Sequence, residues 1–204
     1  ASLAKPEWVA ASRVLVAMLL VGLPVTAQSE YYWSASPDMI ARAFFGMNPF
    51  PESFPVAEYL RKNSQPTDRI FVRGSEPQIL FYANRRSATK FVLIYPLYHD
   101  SSRVAEFQTQ AREDISTTNP EYIVFVKTAP SISQDTSLLW DGRAPLRFED
   151  EIIKLLNTKY RMVAWVPVGT TKPQLNIIPL TGKEPMAQLA RLPGFIAIAK
   201  RISD

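Results

Sequence analysis

Residues Arg69 to Arg86 read "RIFVRGSEPQILFYANRR", and the fold turns on how this stretch is read. Ile70 to Val72 form a short apolar run that ends at Gly74, the signature of a strand entered from Asp68. After the glycine the spacing becomes helical. Ser75 and Gln78 fit a capping box, and Pro77 falls in the first turn, where its missing N–H costs nothing. A strand, a turn and a helix in this order are also where a nucleotide-binding α/β protein places its phosphate loop. That loop needs three spaced glycines, and here Gly74 stands alone. Glu76 and Pro77 occupy the helix N-terminus, and a carboxylate there satisfies the positive dipole end and repels phosphate. Gly74, Ser75, Glu76 and Pro77 are therefore read as a structural turn.

The same alternation extends outward in both directions. Upstream, "NPFPESFPVAEYLRKNSQP" from Asn48 has turn prolines, then Val56, Tyr59 and Leu60 at helical spacing, with Pro66 as the stop. Downstream, "TKFVLIYPL" from Thr89 to Leu97 predicts a second strand. "SSRVAEFQTQAREDISTTN" predicts an amphipathic helix with Val104, Phe107, Ala111 and Ile115 on one stripe. "EYIVFVK" predicts a third strand, residues 128–147 a loop, and "FEDEIIKLLNTKY" a helix with Phe148, Ile152 and Leu155 inward. "RMVAWVPV" predicts a fourth strand, and "QLNIIPL" and "FIAIAKRI" shorter ones. Helices alternating with continuously apolar strands predict an α/β fold, a three-layer Rossmann-like domain with a mostly parallel sheet and right-handed crossovers. The last strands follow one another without helices, so they are expected to pair antiparallel at an edge.

Ahead of this domain, Trp8 to Ala27 read "WVAASRVLVAMLLVGLPVTA". The uninterrupted apolar part, Val14 to Val25, is about half of the ~20 residues a spanning helix needs; with Trp8, Val9 and two alanines the stretch reaches a full span that contains Arg13. Three readings compete. The first is a signal peptide with Lys5 and Arg13 as its basic region and "VTA" before Gln28 as its cleavage site. The second is the last transmembrane helix of a larger protein, and the third a buried helix of a soluble domain. Tyr31, Tyr32 and Trp33 suit a helix end at a membrane surface. The chain opens on alanine, and sequence upstream of it is expected. The division is residues 1–47 as a membrane-proximal segment, with its apolar helix at about 8–27, and 48–204 as a soluble α/β domain.

Composition narrows the chemistry. Among 204 residues there is no cysteine and a single histidine, His99. Disulfides, thiolate ligands and sites built on several imidazoles are excluded. Only 7 glycines against 17 prolines argue further against backbone phosphate cradles. A net charge of +4 does not imply nucleic acid, and no nucleic-acid partner is expected. Arg85, Arg86 and Lys90 read either as an anion, lipid or acceptor contact, since guanidinium forks suit phosphates and carboxylates, or as a solvated helix end with cations at the negative dipole. His99 and Asp100 follow the second predicted strand, at the end where α/β ligands bind, with no G-x-S-x-G motif to accompany them. Glu149 to Glu151 read as acids opening a helix, and Trp140 and Trp165 as core or surface anchors. No catalytic residue, metal site or cofactor is assigned.

Taken together, "NPFPE", the "DRIFVRGSEP" turn and "FYANRRSATKF" resemble a recurring block of bacterial polytopic membrane glycosyltransferases of the GT-C type. These are lipid-phosphosugar-dependent enzymes similar to protein O-mannosyltransferases and the lipid A aminoarabinose transferase. The block resembles the start of their C-terminal soluble domain, and "FIAIAKR" its closing strand and basic pair. Arg73 stands where many relatives have an aromatic residue. The resemblance implies that residues 8–27 are the last membrane helix and that 48–204 lie on the periplasmic side of the inner membrane. It also implies that the catalytic acids and the polyprenyl-phosphate sugar site belong to a membrane part outside this chain. The domain would cap that active site or receive a lipid-linked or glycan acceptor, with its own transmembrane domain and the membrane surface as partners. The alternative is a secreted or periplasmic α/β binding protein with a signal peptide.

Overall fold

The computed structural model describes residues 6–98, 102–128, 143–169, 173–177, 189 and 192–202. The N-terminal apolar run folds as one 22-residue helix, α1 (Pro6–Ala27), whose window from Glu7 to Ala27 is long and apolar enough to cross a membrane and buries none of its residues in the protein. A π-helical turn, Glu30–Ser34, follows. Next comes α2 (Pro37–Phe45), where the sequence suggested no element. The Ser36 hydroxyl caps it by accepting the Met39 N–H at 3.3 Å, Pro37 supplies the first turn, and Gly46 ends it at φ 55°. Helix α3 (Phe50–Asn63) is the helix expected after "NPFPE".

The chain is α/β, with a mixed six-stranded sheet: β1 (Arg69–Arg73), β2 (Arg86–Ser87), β3 (Tyr122–Lys127), β4 (Tyr160–Pro167), β5 (Asn176–Ile177) and β6 (Phe195–Arg201). Their spatial order is β2-β1-β3-β6-β4-β5. Only β1 with β2 and β1 with β3 pair in parallel; β6 runs antiparallel to both β3 and β4, and β5 antiparallel to β4. The remaining helices are α4 (Pro77–Ala83), α5 (Tyr95–Tyr98), α6 (Val104–Thr118) and α7 (Arg143–Lys159).

Alternation along β1 sorts the core. Ile70 and Val72 join Val56 and Leu60 of α3 and Ile79 of α4 in one apolar cluster. Phe71 points the other way, into a cluster with Ala111 and Ile115 of α6 and Phe148 and Ile152 of α7. The stripe expected for α6 is thus the face it buries, except that Gln108 joins it and donates to the Leu97 carbonyl at 2.8 Å.

Four expectations are corrected. The sheet is mixed and not mostly parallel, with two parallel and three antiparallel pairings, because β6 enters antiparallel between β3 and β4. Thr89 to Leu97 is not a strand: β2 is two residues long, and the apolar run enters the core through the short helix α5, with Ile94, Leu97 and Tyr98 buried. Pro96 has no N–H to give a ladder, which disfavours a longer strand there. β6 is not at an edge; it lies between β3 and β4, and Phe195 to Ala199 are buried on both sides. The capping box at Ser75 does not form. Glu76 holds the N-cap position of α4, and the Gln78 amide donates instead to the Ser53 hydroxyl at 3.0 Å. Pro77 is in the first turn, as read.

Candidate functional site

Most of the buried polar side chains gather where β1, β3 and β4 end. Arg73 closes β1 and is buried. Its Nε donates to Glu149 Oε2 at 3.1 Å, Nη2 to Glu149 Oε1 at 2.6 Å, and Nη1 to the Val126 carbonyl at 3.0 Å. The guanidinium lies over the Phe125 ring at 4.4 Å and the Tyr98 ring at 5.8 Å. The Tyr98 hydroxyl donates to the same carboxylate, and burial, reinforced by that neighbouring charge against the counter-pull of Arg73, pushes its phenol well above the usual tyrosine range. All three nitrogens of the guanidinium are engaged and the phenol holds its proton. The cluster is a staple from α7 to β1 and β3, and it offers no base or nucleophile.

The acids of α7 are corrected accordingly. The helix begins at Arg143, so Glu149 to Glu151 lie beyond its first turn, and their role is not dipole compensation. Glu149 serves Arg73, and Glu151 pairs with Arg112 of α6.

A fully buried acid sits at the start of α3. Glu52 is fully buried, ion-paired with Arg42 of α2, and accepts the Gly169 N–H at 3.0 Å from the turn after β4. Arg42 also donates to the carbonyls of Gly46 at 2.7 Å and Asn48 at 3.1 Å. These contacts cross the boundary drawn at residues 47 and 48, so α2 is docked on the domain.

At the opening turn, Gly74 is required by close approach. A Cβ there would meet the Glu76 carboxylate and lie 2.8 Å from the Val126 side chain. Glu76 is buried at that helix end. The turn is packed shut, with no room left for a phosphate.

The cations expected together are apart in role. Arg85 is half-buried and committed: Nε donates to the Ser64 hydroxyl at 2.8 Å, Nη2 to the carbonyls of Arg61 at 3.0 Å and Ser64 at 2.7 Å, and Nη1 to those of Ala83 at 3.1 Å and Asn84 at 2.9 Å. It ties the ends of α3 and α4. Arg86 is exposed on the edge strand β2. Lys90 is exposed, with its ammonium 5.5 Å from the Phe91 ring centre. His99, Asp100 and Trp140 lie outside the described residues, as does most of the loop expected at 128–147. Trp165 packs with Phe195 and Leu189, an anchor as read.

Between α6 and α7 lies a cleft of about 240 Å³ lined by Ile115, Ile152 and Tyr160, with Arg112, Glu151 and Lys159 among its polar wall. It is smaller than the few hundred Å³ usual for ligand pockets, and the Arg112–Glu151 pair neutralises its own charge. Among the described residues, no three His, Cys, Asp or Glu side chains converge to hold a metal ion. No family model, curated protein or solved structure matches the chain.

Proposed function

We propose that the chain is the extracytoplasmic, non-catalytic domain of a membrane glycosyltransferase-like protein that transfers a sugar from a polyprenyl-phosphate donor. In this reading α1 is its last membrane span, and the domain, at the periplasmic face of the inner membrane, caps the active site or receives the acceptor. The carrying observation is the place of Glu52. It is the acid of "NPFPE", one of the motifs that carry the resemblance, and it binds Arg42 of the segment that follows α1. The helix that follows the exposed apolar helix by ten residues is thus docked on the domain, which supports a domain kept near the end of α1, as a cap over a membrane site would be. Helices packed on alternate residues of β1 support a three-layer, Rossmann-like arrangement. The closed Arg73–Glu149–Tyr98 network supports a non-catalytic role.

The test is expression of the full chain with a C-terminal tag in a Gram-negative host. The expected product keeps α1, stays in the membrane fraction through alkaline carbonate, and loses its tag to protease added to spheroplasts. A soluble periplasmic product beginning at Gln28 would replace this reading with the secreted binding protein. Sugar transfer from a polyprenyl-phosphate sugar by the purified chain would overturn the non-catalytic role.

A further inference from the structure

Helix α2 leaves most of its large apolar side chains outside. Ile40 and Ala41 are half-buried together with Asp38 and Arg42, while Met39, Ala43, Phe44 and Phe45 face outward. In a helix docked on a soluble domain the apolar stripe faces the core; here the docked side holds only Ile40 and Ala41 beside the Arg42–Glu52 ion pair, and the aromatic side chains are left open. The open side continues. Tyr31, just past α1, meets Phe44 edge to face at 5.8 Å. Phe45 meets Phe50 of α3 at 4.9 Å. Phe54, one helical turn on, meets Tyr82 of α4 at 4.5 Å, and Tyr82 meets Phe81 at 5.4 Å. Phe44 is 67% exposed, Phe54 51% and Phe81 76%. A strip of rings thus runs from the exit of α1 across the outer side of α2, α3 and α4. Single exposed apolar residues need no explanation, but three ring groups that follow one another along the chain, at Tyr31–Phe44, Phe45–Phe50 and Phe54–Tyr82–Phe81, do.

We infer that this aromatic strip lies in the interfacial layer of the bilayer that α1 spans, so that the domain rests on the membrane by its α2–α3–α4 side. The inference rests on the reading of α1 as a membrane span. Lipid is the occupant because the strip is continuous with that span. It opens with Tyr31, Tyr32 and Trp33, the residue types of a membrane-interface belt, and the phenylalanines follow as the chain moves along α2. An interfacial helix puts its apolar side into the boundary between headgroups and acyl chains, and α2 has that side free. The rings carry no charge, so the attachment is apolar and insensitive to salt, unlike a contact made by Arg86 and Lys90.

The chain has no cysteine, so single sites can be labelled. Nitroxides at Phe44→Cys, Phe54→Cys, Phe81→Cys, Met18→Cys in α1 and Ile177→Cys on the far edge strand would be read in phosphatidylcholine vesicles holding the full chain. Oxygen probes contact with lipid, and a water-soluble nickel chelate probes contact with solvent. At positions 44, 54 and 81 the expected ratio of oxygen to nickel access is severalfold above that at 177, and is unchanged by salt. Water access at all three with lipid access at 18 would overturn the docking and leave the span standing. Water access at 18 would overturn the span and the docking with it. Protection from both probes at all three would mean that protein covers the strip, and would overturn lipid as its occupant. Three independent labels keep the test open if one variant fails to fold.

Discussion

Arg73 and Glu149 stand 76 positions apart in the chain and meet through a bidentate hydrogen bond at the end of β1. Removing one partner leaves a charge in a site from which water has been removed, which typically costs about 3 kcal/mol or more, whereas replacing both with apolar groups of similar size is often nearly neutral. Glu149→Ala should therefore destabilise a fragment from Ser36 to Asp204 by about 3 kcal/mol, and Arg73→Met with Glu149→Leu by much less. Denaturant unfolding of the two single variants and the double variant measures the coupling. Additive losses would show that the pair is not linked in this way.

Fragment boundaries should matter for the same physical reason. Cutting at Asn48 removes Arg42 and leaves the Glu52 carboxylate buried with only the Gly169 N–H among the described donors. A fragment starting at Ser36 keeps the partner and the cap of α2. We expect it to be more stable than the Asn48 fragment by about 1–3 kcal/mol. Equal melting temperatures would mean that water replaces Arg42 without loss.

Arg85 should behave as a structural residue. Arg85→Ala frees the carbonyls it holds at the ends of α3 and α4 and should cost about 1–2 kcal/mol. Arg85→Lys should recover little, because one ammonium cannot reach carbonyls on both helix ends. Arg86→Ala, on an exposed edge, should change stability by less than about 0.5 kcal/mol. If the Arg86 variant lost as much stability as the Arg85 variant, this division of roles would be wrong.

Stability should fall on the alkaline side. Burial pushes the Tyr122 and Tyr160 phenols up to about 12 and Tyr98 further, and raises Tyr59 as well. In the unfolded chain tyrosine ionises near pH 10, so above that pH the unfolded state sheds protons that the folded state keeps. The stabilisation is complete below about pH 10 and is lost as pH rises through about 12. Tyr122 donates to the Asn63 carbonyl at 2.7 Å and Tyr160 to the Pro120 carbonyl at 2.6 Å, so both phenols have reason to hold their protons. Unfolding midpoints should drop above about pH 10, and the tyrosinate absorbance of Tyr122 and Tyr160 should develop at higher pH in the folded than in the unfolded chain. A midpoint flat to about pH 11 would contradict the burial of these rings.

Local periodicity made α3, α6, β1, β3 and β4 legible, because each has one side that must be apolar and a stop that shows in the residues. "FVLIYPL" misled because a short apolar run looks the same whether it is a strand or a buried helical turn. "FIAIA" carried its own answer: a strand apolar on both faces belongs in the interior, and order along the chain was the weaker guide. The roles of Arg73 and Glu52 were not legible. Each is defined by a partner on another element, Glu149 for the first and Arg42 and Gly169 for the second, and no spacing rule encodes such a meeting. Helix α2 hid for a different reason, since its apolar residues lie on both sides of it, Ile40 and Ala41 half-buried beside Arg42 and Met39, Phe44 and Phe45 exposed, so no single stripe marks it.

The interior place of β6 has a consequence for biogenesis. Among the described residues, strands β1 to β3 and strands β4 and β5 are joined within the sheet through β6, Phe195–Arg201. The sheet stays in two halves until those residues are present. During synthesis the hydrogen-bond ladder cannot close until Phe195–Arg201 have emerged, and the two halves carry open edges until then. A stop codon ahead of Phe195 would remove the strand that joins the two halves of the sheet, and the shortened chain would be a substrate for quality-control proteases.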